Sequence, residues 1–442
     1  MQIRRMQVVF LSWFFCLAWL VQLPLEKWFV GDNAGWNPLN YAALLLAMVW
    51  LIAVPPMTLN RTRAHVLATI VGVLVVNTLF APYGDVKWLA NQCGFLICTF
   101  VISRGYADID EQQVAAMSTF LSRLAMAGVI LVGASVLYLV VVWHGLLVAI
   151  ARSLRTDVFN GLLYQLMLHF SWQKQAIGAF AALVLGILFV LRPRLFAFLL
   201  VACLPLLAGI RNFWLAMTLA VVFVWLRRRK SLLLVGPLGA GIVLLYFSSE
   251  LLPLLCKLNY RLSSYLNTLY IVGEFPFGVG LGGYHTYVVA EARTLVASYP
   301  AFAVVDFAEA PESDIALILG SLGLSLGLVF YAVNLFVMVR LWKAYEFLPD
   351  GDRVFSFLYF VSLFSGIAQD QVFGLPYWIL FGFALGTATS ARYTCRVPQV
   401  RRVLTSRTTS ERTAAYDMGA SCAGSLSSID TRGRNEEGNC TD

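Results

Sequence analysis

Apolar runs of about 16 to 24 residues recur from one end of this 442-residue chain to the other, each long enough to cross a hydrocarbon core of roughly 30 Å as a helix. In that solvent every backbone N–H and C=O must be paired, either inside a helix or around a closed barrel. Uninterrupted apolar runs suit the helix and lack the alternation of barrel strands. The sequence therefore predicts an all-α polytopic integral membrane protein. Charge agrees, with 13% of residues charged and 60% hydrophobic, where a soluble domain carries roughly 25% charged residues.

The net charge of +8 could suggest a nucleic-acid partner, but its placement argues otherwise. Lysines and arginines cluster in short connections between apolar runs, as cytoplasmic anchoring requires, so no nucleic acid is expected. The tetrad at residues 227–230, Arg-Arg-Arg-Lys, is the strongest such marker. With it on the cytoplasmic side, about 12 spans follow: residues 6–25, 39–57, 66–80, 88–102, 124–143, 176–191, 195–210, 212–226, 231–252, 315–339, 354–368 and 372–391. Both termini are then cytoplasmic. The first run resembles a signal peptide but is long and aromatic and ends without small residues, so it reads as a retained span. Residues 145–174 are broken by charge and read as an interfacial or re-entrant helix on the outer side. Residues 1–396 thus form a membrane-embedded domain, and the polar tail 397–442 is expected to be a disordered cytoplasmic segment. The eight cysteines match no zinc or disulfide spacing and read as structural.

One long segment, residues 253–314, interrupts the hydrocarbon with polar and glycine-rich sequence, and topology puts it outside between the ninth and tenth spans. Arg211 and Arg261 fall on that same outer face. Either one alone is equally readable as an interfacial anchor. Together, flanking a polar loop, they could hold a pyrophosphate, because a guanidinium stays charged and grips phosphate through a planar fork. Pro276, Gly278, Gly280, Gly282 and Gly283 lack the Gly-Lys-Ser/Thr of a nucleotide loop. They suit a sharp bend and close approach to a ligand or a helix, seating the loop on the bundle or binding directly. Among the carboxylates that close the segment, Glu312 and Asp314 sit where the tenth span begins, favoured by a helix N-terminus and held on a rigid element. Either could deprotonate a sugar hydroxyl. His285 is a further base candidate and equally a structural histidine. No spacing argues for a metal site, and no cofactor is expected.

Arg261 with the following Leu-Ser-Ser-Tyr-Leu-Asn-Thr-Leu, then Phe-Pro-Phe-Gly-Val-Gly-Leu-Gly-Gly-Tyr, resembles the Arg-to-Pro-x-x-Gly-x-Gly block of the O-antigen polymerase and ligase superfamily. Glu312-Ser-Asp-Ile-Ala-Leu, with Gly320 and Gly323 beyond it, is similar to the block that closes the family's periplasmic loop, and the segment around Arg211 is similar to its Ser-Arg segment. The motif-bearing resemblance covers roughly residues 200–340.

The resemblance implies a metal-independent GT-C-like glycosyltransferase of the bacterial inner membrane, with one large periplasmic loop between helices 9 and 10. It would act on an undecaprenyl-diphosphate-linked oligosaccharide among the membrane lipids, with a chain-length regulator or flippase as a further partner. Arg211 and Arg261 would neutralise the diphosphate leaving group. Ligases of the family carry a histidine where this chain has Ser313, which favours a polymerase of O-antigen or exopolysaccharide over an O-antigen ligase acting on a lipid A-core acceptor. Glu312 is the first expectation for the base and Asp314 the second. A flippase or transporter would show internal repeats and ionisable residues near the midplane; a scaffold of an export complex is the other alternative.

Overall fold

The computed structural model describes residues 2–20, 38–53, 60–142, 174–207, 211–226, 260–284, 286–288, 313–366 and 374–390. All of these belong to one compact unit, Met1–Thr394; the other, Cys395–Asp442, which holds the predicted tail, lies outside the described residues, as do the basic tetrad, residues 145–173 and the predicted ninth span. Every regular element among the described residues is helical: α1 Gln2–Leu20, α2 Pro38–Ala53, α3 Arg61–Phe80, α4 Val86–Asp108, α5 Glu111–Val142, α6 Lys174–Leu191, α7 Pro193–Leu207, α8 Arg211–Leu226, α9 Tyr260–Glu274, α10 Asp314–Ala344, α11 Asp350–Ser365 and α12 Leu375–Thr389. Among the described residues four stretches are long and apolar enough to cross a membrane: Arg61–Phe80, Val86–Asp108, Glu111–Ser135 and Asp314–Phe347. The shorter apolar helices include Ile177–Leu191 and Leu375–Thr389.

In lipid, helices gain little from hydrophobic burial against each other, so close packing and interhelical hydrogen bonds must hold them. The core shows both. Phe355 of α11 stacks on Phe383 of α12 at 4.0 Å, and Tyr106 of α4 meets each ring edge-on at 5.1 Å. The Trp378 indole donates to Gln92 Oε1 at 2.8 Å and Thr99 Oγ1 donates to the Trp378 carbonyl at 3.0 Å, tying α4 to α12. Arg63, fully buried at the start of α3, donates through Nε to Thr389 Oγ1 at the end of α12.

Two elements depart from the sequence expectation. The predicted spans at 88–102 and 124–143 leave residues 103–123 as a connection, yet α5 runs unbroken from Glu111. The reason is a reciprocal cap: Asp110 Oδ1 accepts the Gln113 amide and Gln113 Oε1 accepts the Asp110 amide, both at 2.9 Å. The exchange starts the helix about three turns before its apolar part.

The second departure is larger. A single span was expected over residues 315–339, but α10 is interrupted at Gly323, where φ is 73° and ψ is 174°. The two arms fold back on each other. A Cβ on Gly327 would lie 2.8 Å from Leu319 Cδ2 and 3.6 Å from Leu319 Cα. Asp314 and Ile315 line the same cavity as Tyr331, Leu335 and Met338, whereas a straight helix would set Asp314 and Met338 about 36 Å apart. The first arm, residues 314–322, is roughly 13 Å long and cannot cross a bilayer; the second, residues 324–344, spans roughly 30 Å without it.

Candidate functional site

A helix interrupted in an apolar environment must satisfy the backbone groups that the break releases. The glycine-rich loop after α9 does this. Gly278, Gly280 and Gly282 have φ of 79°, 104° and 75°, a region closed to most side chains. Held so, the Val279 amide donates to the Gly320 carbonyl and the Gly280 amide to the Ser321 carbonyl, both at 2.9 Å. From the other side, the Tyr83 amide donates to the Val279 carbonyl at 3.0 Å and the Asp85 amide to the Leu281 carbonyl at 2.9 Å. The loop is therefore clamped between the broken helix and the α3–α4 connection.

Asn77 locks the junction, its Nδ2 donating to the Phe277 and Ser321 carbonyls at 2.9 and 2.8 Å. Contact is close enough to demand glycine on both partners: a Cβ on Gly278 would lie 2.3 Å from the Ser321 carbonyl oxygen, and one on Gly323 would lie 2.2 Å from that of Pro276. Gly283 has an ordinary φ, but a Cβ there would meet the Tyr83 carbonyl oxygen at 2.5 Å.

Helix α9 runs alongside the first arm of α10 in the same direction. Thr268 Oγ1 donates to the Ala316 carbonyl at 3.1 Å, and Tyr265 and Ser313 share a 2.7 Å hydrogen bond; the two pairs have the same sequence offset, as parallel helices require. Because the Thr268 proton is committed, the Tyr284 hydroxyl donates to Thr268 at 3.3 Å. Burial pushes the Tyr284 phenol up to about 12, against the opposing pull of that bond.

The first arm begins with Ser313 as its N-cap, accepting the Ile315 amide at 3.2 Å. Asp314 follows, 3% exposed, its amide donating to the Gly366 carbonyl at 2.8 Å. Gly366 touches the carboxylate: a Cβ at that position would lie 2.2 Å from Asp314 Oδ2.

Beside Asp314 opens a cavity of about 430 Å³ whose polar lining comes from Asp314, Tyr331 and Asn334, with Leu328, Met338 and Phe364 among its apolar walls. Asn334 has both acceptor positions of its oxygen engaged. Its Oδ1 accepts the Tyr359 hydroxyl at 2.8 Å and the Tyr377 hydroxyl, while its Nδ2 donates to the Phe330 carbonyl at 3.0 Å. The Tyr331 hydroxyl is buried and has no hydrogen-bond partner among the described residues.

Of the candidate site residues, Asp314 and the glycine block are thus joined through the first arm of α10. Arg261 is the second residue of α9, one turn before Tyr265, and Arg211 is the first residue of α8; both side chains, with Glu312 and His285, lie outside the described residues. Tyr331 and Asn334 were missed by sequence reasoning. Their signal was a polar group in mid-span, which in a membrane helix marks an interior or a cavity. Among the described residues no three His, Cys, Asp or Glu side chains come together as metal ligands would. Neither a protein-family model nor a curated protein matches the chain in sequence.

Proposed function

We propose that the chain is a polysaccharide polymerase of the O-antigen polymerase and ligase type, a GT-C-like protein of about 12 spans in the bacterial inner membrane. It transfers a growing glycan from undecaprenyl diphosphate onto a hydroxyl of the next lipid-linked repeat. In this reading Glu312 or Asp314 takes the acceptor proton, the new glycosidic bond forms as the sugar–diphosphate bond breaks, and Arg211 and Arg261 neutralise the departing diphosphate. Neither a metal nor a cofactor enters the scheme.

One observation carries the reading. The loop at residues 276–283 and the segment at residues 313–323, which are two blocks of the resemblance, interlock through backbone hydrogen bonds and leave Asp314 buried at the edge of a cavity. A loop that merely connected spans would have no need of glycine on both sides of the contact.

The break in α10 favours a second reading, a flippase or transporter, since discontinuous helices line the binding sites of such proteins. The length ladder of lipid-linked and surface glycan separates the two. In a strain lacking the protein, single repeats should accumulate with no ladder, wild type should restore it, and Arg261→Ala should not, at normal expression. Long chains held on the carrier lipid would identify a ligase, and repeats trapped on the cytoplasmic leaflet a flippase.

A further inference from the structure

We propose that Tyr331 is an acceptor-binding residue and that the cavity between it and Asp314 takes a hydroxyl group of the acceptor, not the diphosphate of the donor; this rests on the polymerase reading above. The argument begins with an unmade bond. The Tyr331 hydroxyl is buried and unpartnered among the described residues, a state that carries the full desolvation cost of the group. Among the described residues none relieves it: Asn334, one turn on, holds Tyr359 and Tyr377 on its oxygen and the Phe330 carbonyl on its nitrogen. The Tyr331 side chain instead lines the cavity that Asp314 lines, within electrostatic reach of that carboxylate.

The chemistry of the pair selects the occupant. An ionised carboxylate only accepts, and a phenol can donate. A group seated between them must give a proton to one and take a hydrogen bond from the other, and a hydroxyl does both through one oxygen. A phosphate oxygen cannot donate to Asp314 and is repelled by it. The apolar walls at Leu328, Met338 and Phe364 lower the local dielectric, which strengthens both bonds. Phosphate recognition is thereby left to the arginines.

Tyr331→Phe tests this directly, because it deletes the hydroxyl alone. The full-length variant in detergent should melt no lower than wild type, since no internal bond is lost. In the deletion strain it should shorten the glycan ladder and raise the unextended repeat roughly 3- to 10-fold, the worth of one hydrogen bond to substrate. Arg261→Ala and Asp314→Asn serve as references. A wild-type ladder from Tyr331→Phe, with both references defective, overturns the role of Tyr331 and leaves the polymerase reading standing. A lowered melting temperature overturns it too, by showing a structural partner for the hydroxyl. Normal ladders from all three variants would sink the polymerase reading itself and this inference with it.

Discussion

At the scale of single residues, the decisive position is Gly323. Its φ of 73° is open to glycine and strained for L side chains, and a Cβ would lie 2.2 Å from the Pro276 carbonyl oxygen and 2.4 Å from the Gly278 nitrogen. Both obstacles are backbone, so neither can swing away. Gly323→Ala should therefore cost at least about 2 kcal/mol, from roughly 1 kcal/mol of backbone strain and a comparable amount of steric displacement. A drop in melting temperature in detergent, and cleavage of the loop at residues 276–283 by added protease, would report it. Gly72 in α3 is the internal control: nothing lies within 4 Å of a Cβ there. Gly72→Ala should be neutral or slightly stabilising through helix propensity. The two glycines look alike in an apolar run, and what separates them is a loop some 45 residues earlier in the chain than Gly323, brought to it only by the fold.

At the scale of elements, the folded-back α10 makes a geometric prediction. Cysteines replacing Leu319 and Gly327 should form a disulfide under mild oxidation, since a Cβ at 327 sits 3.6 Å from the 319 Cα and bridged Cα atoms stand roughly 4.4–6.8 Å apart. In a straight helix the same residues would be about 12 Å apart, and failure to cross-link would restore the unbroken span. The sequence could not show the reversal. Hydropathy adds up apolar residues along a window and is blind to direction, so two arms of one hairpin read as one span. By contrast α6 and α12 were legible to within three residues at each end, and α3 and α4 to within five or six, because apolar length and flanking charge or proline mark a simple helix directly. The start of α5 was not, since its reciprocal cap lies in sequence polar enough to read as a connection. The site divides in the same way. Asp314 could be found beside a helix start, whereas Tyr331 and Asn334 matter only because the hairpin carries them back to it.

At the scale of the molecule, the hydrogen bonds from Tyr83 and Asp85 to the glycine loop oblige the α3–α4 connection and that loop to lie on the same side of the membrane. In a cysteine-free background, Lys87→Cys, an exposed position beside the loop, should react with an impermeant thiol reagent added to intact spheroplasts. Arg229→Cys, in the basic tetrad, should react only after permeabilisation. The reverse pattern would place the carboxylate cavity on the cytoplasmic half and remove the basis for a periplasmic transfer.

The amide of Asn77 also has a bearing on how the protein is made. Its two acceptors lie 200 and 244 residues further along the chain. At a synthesis rate of about 5–20 residues per second, the ribosome needs roughly 12–50 s after Asn77 emerges before Ser321 exists. For that interval α3 sits in or near the translocon with a polar amide lacking its native partners, at the end that must later receive both the loop and the returning arm. This junction thus cannot close until residue 321 has been made, and a nascent chain halted before that point holds all of α3, α4 and the glycine loop but lacks the carbonyl that joins them.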